Sequence, residues 1–121
     1  MKICKIGKFK KILNKYPSDL IIKAQIDDEV IEKLEYSEMT TGWASLQIMG
    51  NDYPYECEAI TVSNLLNILE EFKNNDNVLL IKDITEDYDI NVVVEGYMIK
   101  GIIQKDDSLI LAGDYIGTKI Y

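Results

Sequence analysis

Carboxylates and lysines are the only charged side chains that this sequence offers for chemistry. The chain contains no His, and all 13 of its basic residues are Lys, so Arg is absent as well. Without His, the general base that most enzymes use near neutral pH is missing, and Ser–His–Asp, Cys–His and His–metal sites are excluded. Without Arg, the forked donor that favours phosphate recognition is missing too. The sequence has neither a Walker A pattern nor a glycine-rich phosphate loop.

Two acidic runs are the remaining candidates for catalysis or metal binding. The first is Glu29, Glu32 and Glu35, and the second is Asp83, Glu86, Asp87 and Asp89. Two carboxylates suffice for glycoside hydrolysis if they converge in a concave site, but both runs are first interpreted as solvated surface. As a calcium loop, the second run lacks the required glycine and the bidentate glutamate. We therefore predict no catalytic residue, no metal site and no cofactor.

Charge is distributed unevenly along the chain. Residues 1–23 hold seven Lys and one acid, whereas residues 24–121 hold six Lys and twenty acids. The net charge of -8 argues against direct binding of nucleic acid, because that affinity comes largely from basic side chains that neutralise phosphates. An acidic surface has two interpretations, which are solubility and recognition of a basic protein partner.

Aromatic residues accompany the acids in the middle of the chain. Tyr and Trp are enriched at interfaces because they offer a large area with a polar tip, although Trp43 could instead anchor the core. An acidic rim around aromatic anchors suits a basic partner. The predicted partner-binding residues are Glu29, Glu32, Glu35, Tyr36, Glu38, Trp43, Asp52, Tyr53, Tyr55 and Glu56.

Hydrophobic periodicity predicts a single α+β domain over residues 1–121, with two or three helices packed on a largely antiparallel β-sheet. The apolar spacing predicts helices over 6–16 and 61–73, the second with Thr61 as its N-cap, and a short helix over 27–36. Strand patterns predict a hairpin between 43–49 and 53–60. The other predicted strands are 20–26, 78–82, 90–95, 97–104 and 108–111, and the tail 113–121 could add an edge strand.

The two longer predicted helices show a weak internal sequence repeat. When Ile6 is aligned with Val62, the apolar positions of the first helix coincide with those of the second, and a strand ending in Ile-Lys follows each helix. Any two amphipathic helices would match in this way. A duplicated helix–strand unit and a coincidence therefore both stay open.

The sequence indicates a cytoplasmic protein. No apolar run approaches the roughly 20 residues that a membrane helix needs, and the basic start lacks the apolar stretch of a secretory signal. Cys4 and Cys57 lie far apart in a chain without such a signal, which predicts two reduced thiols. Strand edges and tyrosine-rich strands make a homodimer reasonable.

The middle of the chain has counterparts among known proteins. The stretch from Gly42 to Tyr53, followed by Thr61 to Leu69, resembles small acidic bacterial immunity proteins and short phage or mobile-element proteins of unknown role. They share a hairpin that leads into an N-capped amphipathic helix. The resemblance implies an inhibitor, either an immunity protein or a phage anti-defence protein of the anti-CRISPR type, and it carries over no functional residue.

These observations together predict a non-enzymatic acidic protein that neutralises a basic protein partner, namely a toxin or a defence nuclease that acts on nucleic acid. One alternative is a protein that binds or sequesters a small molecule in a pocket between helix and sheet or between two protomers. Another is an enzyme that uses carboxylates alone, which requires two acids that converge in a concave site.

Overall fold

Strands, rather than helices, make up most of the molecule. The structure is a computed structural model that describes residues 2–40, 43–51, 53–86 and 89–120, and far more of these residues lie in strands than in helices. Within these residues the helices are α1 (Ile6–Leu13) and α2 (Val62–Leu69), of eight residues each. The predicted α+β fold, with two or three helices packed on a sheet, is therefore wrong.

Seven strands form one mixed sheet. Their order across the sheet is β2-β1-β7-β6-β5-β4-β3. β1 runs parallel to β7 and β4 runs parallel to β5, whereas the other neighbouring pairs are antiparallel. The strands are β1 (Ile21–Ile26), β2 (Glu29–Ile31), β3 (Leu34–Thr40), β4 (Trp43–Ile48), β5 (Asn77–Asp83), β6 (Val93–Lys105) and β7 (Ser108–Ile120).

The sheet has to curl until its two edge strands approach each other. β2 and β3 occupy opposite edges, yet only Glu32 and Lys33 separate them in sequence. The step from Ile31 to Leu34 spans at most about 11 Å, whereas the edges of a flat seven-stranded sheet would lie about 29 Å apart. The connection between β2 and β3 therefore bends the sheet into a barrel-like shape.

Apolar side chains from both helices and from the sheet fill one core. Phe9 on α1 and Leu65 on α2 are almost completely buried in it. α2 begins with a capping box, in which the Thr61 hydroxyl accepts a hydrogen bond from the Asn64 amide at 3.1 Å while the Asn64 side chain accepts one from the Thr61 amide at 3.1 Å. The predicted N-cap at Thr61 is confirmed.

The predicted helix over 27–36 is wrong, because this segment forms a turn followed by β2 and β3. Asp27 takes a φ of 53° and thereby reverses the chain between β1 and β2. Val30, Ile31 and Leu34 fit either a helical or an extended period in isolation. Pairing with β1 and β4 selects the extended form, which buries Ile31 and Leu34 and leaves Val30 39% exposed.

Two further strand predictions need correction. The predicted hairpin does not form, because β4 pairs with β3 and β5 while the described residues 53–60 lie outside every named strand. α2 supplies the crossover that two adjacent parallel strands require. The strands predicted at 90–95 and 97–104 are one strand, β6, and the tail prolongs β7 instead of adding an edge strand.

The two halves of the chain contain the same arrangement of a helix followed by a strand. The alignment that places Ile6 on Val62 superposes the start of α1 on that of α2, and it also superposes the start of β1 on that of β5. The repeat in the sequence therefore corresponds to helices and strands with matching bounds and matching buried positions. The buried pairs in this alignment are Ile6 and Val62, Phe9 and Leu65, Leu13 and Leu69, Ile22 and Val78, and Ala24 and Leu80.

Backbone hydrogen bonds tie the start of each helix to the strand region of the other half. The Ile6 amide donates to the Asp76 carbonyl and the Val62 amide donates to the Leu20 carbonyl, both at 2.9 Å. These bonds are reciprocal, since the same alignment that places Ile6 on Val62 places Leu20 on Asp76. A second reciprocal pair joins the amides of Val78 and Ile22 to the carbonyls of Cys4 and Ile60. The halves are thus interlocked by matching backbone hydrogen bonds.

Candidate binding surface

Two acidic residues near the junction of β2 and β3, Glu29 and Glu32, contact the segment that follows β4. The Asn51 side chain donates to a Glu29 carboxylate oxygen at 3.3 Å and to the Val30 carbonyl at 2.8 Å. Its own carbonyl oxygen accepts a hydrogen bond from the Glu32 amide at 3.2 Å. Asn51 therefore orients the Glu29 carboxylate and the backbone at Glu32, whose carboxylate lies 3.2 Å from the Lys23 ammonium. Both carboxylates belong to exposed residues.

Glu35 continues this surface along β3. The Cys57 thiol lies 3.8 Å from a Glu35 carboxylate oxygen, and the Lys33 ammonium donates to the Tyr53 carbonyl. Partial burial raises the pKa of the Cys57 thiol, and the negative charge of Glu35 raises it further while Lys33 opposes the change. Burial and Glu35 likewise raise the pKa of the Tyr53 phenol. A raised pKa lowers the thiolate fraction of Cys57, and the thiolate is the nucleophilic form of cysteine.

Two tyrosines, of which Tyr53 is half-buried and Tyr55 is exposed, complete the surface on the same segment. The rings of Tyr53 and Tyr55 meet edge to face, with centroids 5.4 Å apart, and Tyr55 is 68% exposed. This geometry leaves one aromatic ring free for a partner. We call the set Glu29, Glu32, Glu35, Tyr53, Tyr55 and Glu56 the acidic ridge.

The other predicted partner-binding residues do not join the acidic ridge. Trp43 starts β4, so the length of that strand, about 17 Å, separates it from the segment after Ile48. It is 36% exposed and lies outside the core cluster, which argues against the core-anchor interpretation. Tyr36 is half-buried and packs against the core, and the Glu38 backbone pairs near the Trp43 end of the strand. Asp52 lies outside the described residues.

A cavity that the sequence did not reveal adjoins the acidic ridge at Glu29. Its volume is about 660 Å³, and a smaller one of about 230 Å³ shares part of its wall. Together they contain five carboxylates and two lysines. The lining groups that matter are the acids Asp27, Asp28, Glu29, Glu95 and Asp114, the lysines Lys82 and Lys100, and the rings of Tyr97 and Tyr115.

Tyr97 forms the wall that the two cavities share. It is only 6% exposed, and its hydroxyl donates to a Glu95 carboxylate oxygen at 3.2 Å. Burial, reinforced by the charge of Glu95 and by this hydrogen bond, raises the pKa of Tyr97 to about 12. The Tyr115 ring lies 5.8 Å away, edge to face. Tyr97 is therefore a neutral hydrogen-bond donor that orients Glu95.

Long-range strand pairing explains why sequence reasoning missed the cavity. The sequence pattern predicts Asp27 and Asp28 only as the start of a helix over 27–36, although an Asp pair is also typical of a turn. Glu95 and Asp114 come near them because β1 pairs with β7 and β7 pairs with β6. No local pattern in the sequence encodes those pairings.

The described residues set limits on other kinds of site. In the parts of the chain that the structure describes, no three Cys, Asp or Glu residues are grouped so that they could hold a metal ion. Neither of the helices described above has the length and apolar character needed to cross a membrane. Comparison with known protein families, with curated proteins and with solved structures found no match to this chain.

Proposed function

We propose that this chain is a non-enzymatic cytoplasmic inhibitor that binds a basic protein through the acidic ridge. The observation that carries the proposal is the bonding of Asn51 to the Glu29 carboxylate and to the Glu32 amide, because it orients Glu29 and the backbone that bears Glu32 before a partner arrives. Preorganised charge binds with a smaller ordering cost than charge on mobile side chains. The exposed Tyr55 ring supplies an aromatic anchor of the type that dominates interface energies.

A partner that acts on nucleic acid fits this surface by its charge. A toxin or a defence nuclease has a basic groove for phosphates, and an acidic ridge occupies such a groove in place of the nucleic acid. Both the immunity protein and the phage anti-defence protein are versions of this activity. The inhibitor itself needs no cofactor and makes no contact with nucleic acid.

Capture of the partner from the native host, with the purified protein as bait, tests this proposal. We expect the E32Q/E35Q variant to capture at least about threefold less partner than the wild type, because two exposed ion pairs are lost. The E70Q/E71Q variant is the matched control, since it removes the same charge at the end of α2. Capture should also weaken between about 50 mM and 500 mM salt.

Three results would contradict the proposal. One is capture by the ridge variant at the wild-type level. Another is an equal loss in both variants, which would show that total charge rather than the acidic ridge matters. The third is capture that does not depend on salt.

The small-molecule alternative has one supporting observation. An apolar groove of about 270 Å³ lies between β5, β6 and the end of β7, lined by Leu79, Ile81, Val94 and Ile116 among others. Such a groove suits a small neutral ligand. Native mass spectrometry of the freshly purified protein distinguishes the two functions, because a bound small molecule adds a discrete mass.

A further inference from the structure

The larger cavity lies where the two halves of the chain meet. Ile26 pairs with Glu29 across β1 and β2, and Lys82 pairs with Glu95 across β5 and β6. Since the alignment of the two halves places Ile26 on Lys82, Glu29 and Glu95 hold corresponding pairing positions in the two halves. Both line the same cavity, so each half contributes one glutamate to it.

The lining of the cavity favours an organic cation. Four carboxylates and one lysine line the larger cavity, and the adjoining smaller cavity adds Asp114 and Lys100, so the site has an excess of negative charge. Lys82 lies opposite Glu95 in the strand register and offsets only part of this negative charge. The Tyr115 ring, which is 54% exposed and lies edge to face with Tyr97, offers aromatic surface in the smaller cavity, to which guanidinium and ammonium groups are attracted.

Size and position also suit a side chain that is delivered by a protein. Ligand sites in proteins have volumes of roughly 300 to 1,000 Å³, and this cavity falls in that range at about 660 Å³. Glu29 belongs to both the cavity and the acidic ridge, so the two surfaces are continuous. A basic protein seated on the ridge has the cavity mouth beneath it.

We propose that the two adjoining cavities receive an arginine or lysine side chain of the basic partner, with Asp27 and Glu95, which line both cavities, as its counter-ions and the Tyr115 ring of the smaller cavity as its aromatic contact. This inference rests on the proposed function, because the partner that binds the acidic ridge supplies the side chain. Arginine fits better than lysine, since its planar guanidinium both stacks on rings and binds two carboxylate oxygens at once.

A direct test uses a blocked tri-arginine peptide as the probe and NMR of the full-length protein as the readout. We expect saturable shifts of the backbone amides of Asp27, Glu95 and Gly113. A peptide with citrulline at all three positions has nearly the same shape without the charge, and it should produce no saturable shift. The same shifts with the citrulline peptide, or none with the arginine peptide, would overturn the inference.

Variants that each neutralise one carboxylate show where the arginine peptide binds. D27N is tolerated because Asn also adopts positive φ, and E95Q keeps an acceptor for the Tyr97 hydroxyl. Each should weaken binding of the arginine peptide about fivefold. D106N is the matched control, because Asp106 has a φ of 54° and lies at the turn between β6 and β7, outside the cavity. An equal loss in D106N would contradict the assignment.

Capture of the partner separates this inference from the proposed function. If E32Q/E35Q reduces capture while D27N and E95Q do not, the acidic ridge binds the partner and the cavity is not used. If none of these variants reduces capture, both proposals fail. If all of them reduce capture while the E70Q/E71Q control does not, both are supported.

Discussion

Gly113 on β7 is a position where one added methyl group should measurably destabilise the protein. A Cβ atom there would lie 2.5 Å from Cδ1 of Ile26, 3.2 Å from Cδ1 of Leu80 and 3.2 Å from Cβ of Tyr97. Carbon atoms prefer separations of about 3.5 to 4.0 Å, so Ile26 would have to move by about 1 Å. Leu80 and Tyr97 crowd the same added methyl group, so a movement of Ile26 alone does not relieve every close contact. Overpacking of this kind costs about 1 to 3 kcal/mol.

Urea denaturation of G113A and G101A measures this effect against a matched control. A Cβ at Gly101 would meet only the Cβ of Ala112, at 3.9 Å, which is an ordinary contact. Neither glycine has a positive φ, and Gly-to-Ala replacement at a compatible site stabilises by about 0.4 to 1 kcal/mol. We therefore expect the free energy of unfolding of G113A to be about 2 kcal/mol below that of G101A.

A second substitution tests the cause. I26V removes the Cδ1 atom that the new methyl group would meet, so the I26V/G113A double variant should recover about 1 kcal/mol relative to the sum of the single changes. Equal stability of G113A and G101A would refute the reasoning. So would an I26V substitution that restores nothing, because the steric conflict would then lie elsewhere.

Three further outcomes are expected. T61A should lower the free energy of unfolding by about 1 kcal/mol, because the Asn64 amide loses its acceptor at the start of α2; urea denaturation measures it. F9A should lower it by about 3 to 5 kcal/mol in the same assay, since Phe9 is completely buried. In a tyrosinate absorbance titration, one tyrosine should ionise near pH 12, and E95Q should lower that pKa by removing the charge beside Tyr97. Because folding raises the pKa of Tyr97, its contribution to stability is complete below pH 10 and is lost as the pH rises through about 12.

The regular elements with strong local patterns could be predicted from the sequence. The apolar stripes of α1 and α2 follow the helical period, and the capping box at Thr61 lies within a single turn of chain. The predicted bounds of β1 and β5 lie within one residue of those in the structure. These elements depend on interactions between near neighbours, so a short window of sequence contains the information needed.

The remainder of the fold depends on strand pairs that are distant in sequence. Residues 27–36 carry apolar spacing that suits either a helix or a strand, and pairing with β1 and β4 selects the strand. The parallel pair of β1 and β7 joins the first third of the chain to its last strand. Such a contact is decided by the whole core rather than by local propensity, which is why the α+β prediction failed.

The candidate surface, like the fold, was predictable from the sequence only in part. The acids and aromatics around residues 29–35 and 53–56 were visible as composition, and the structure brings six of the ten predicted residues together in the acidic ridge. Trp43 shares the same stretch of sequence, but an extended strand places it at the opposite end of β4. The cavity around Tyr97 arises only because the sheet curls and the two halves interlock. Charge and amphipathic helices are properties of the local chain, whereas a concave site is a property of strand order, which no short stretch of sequence contains.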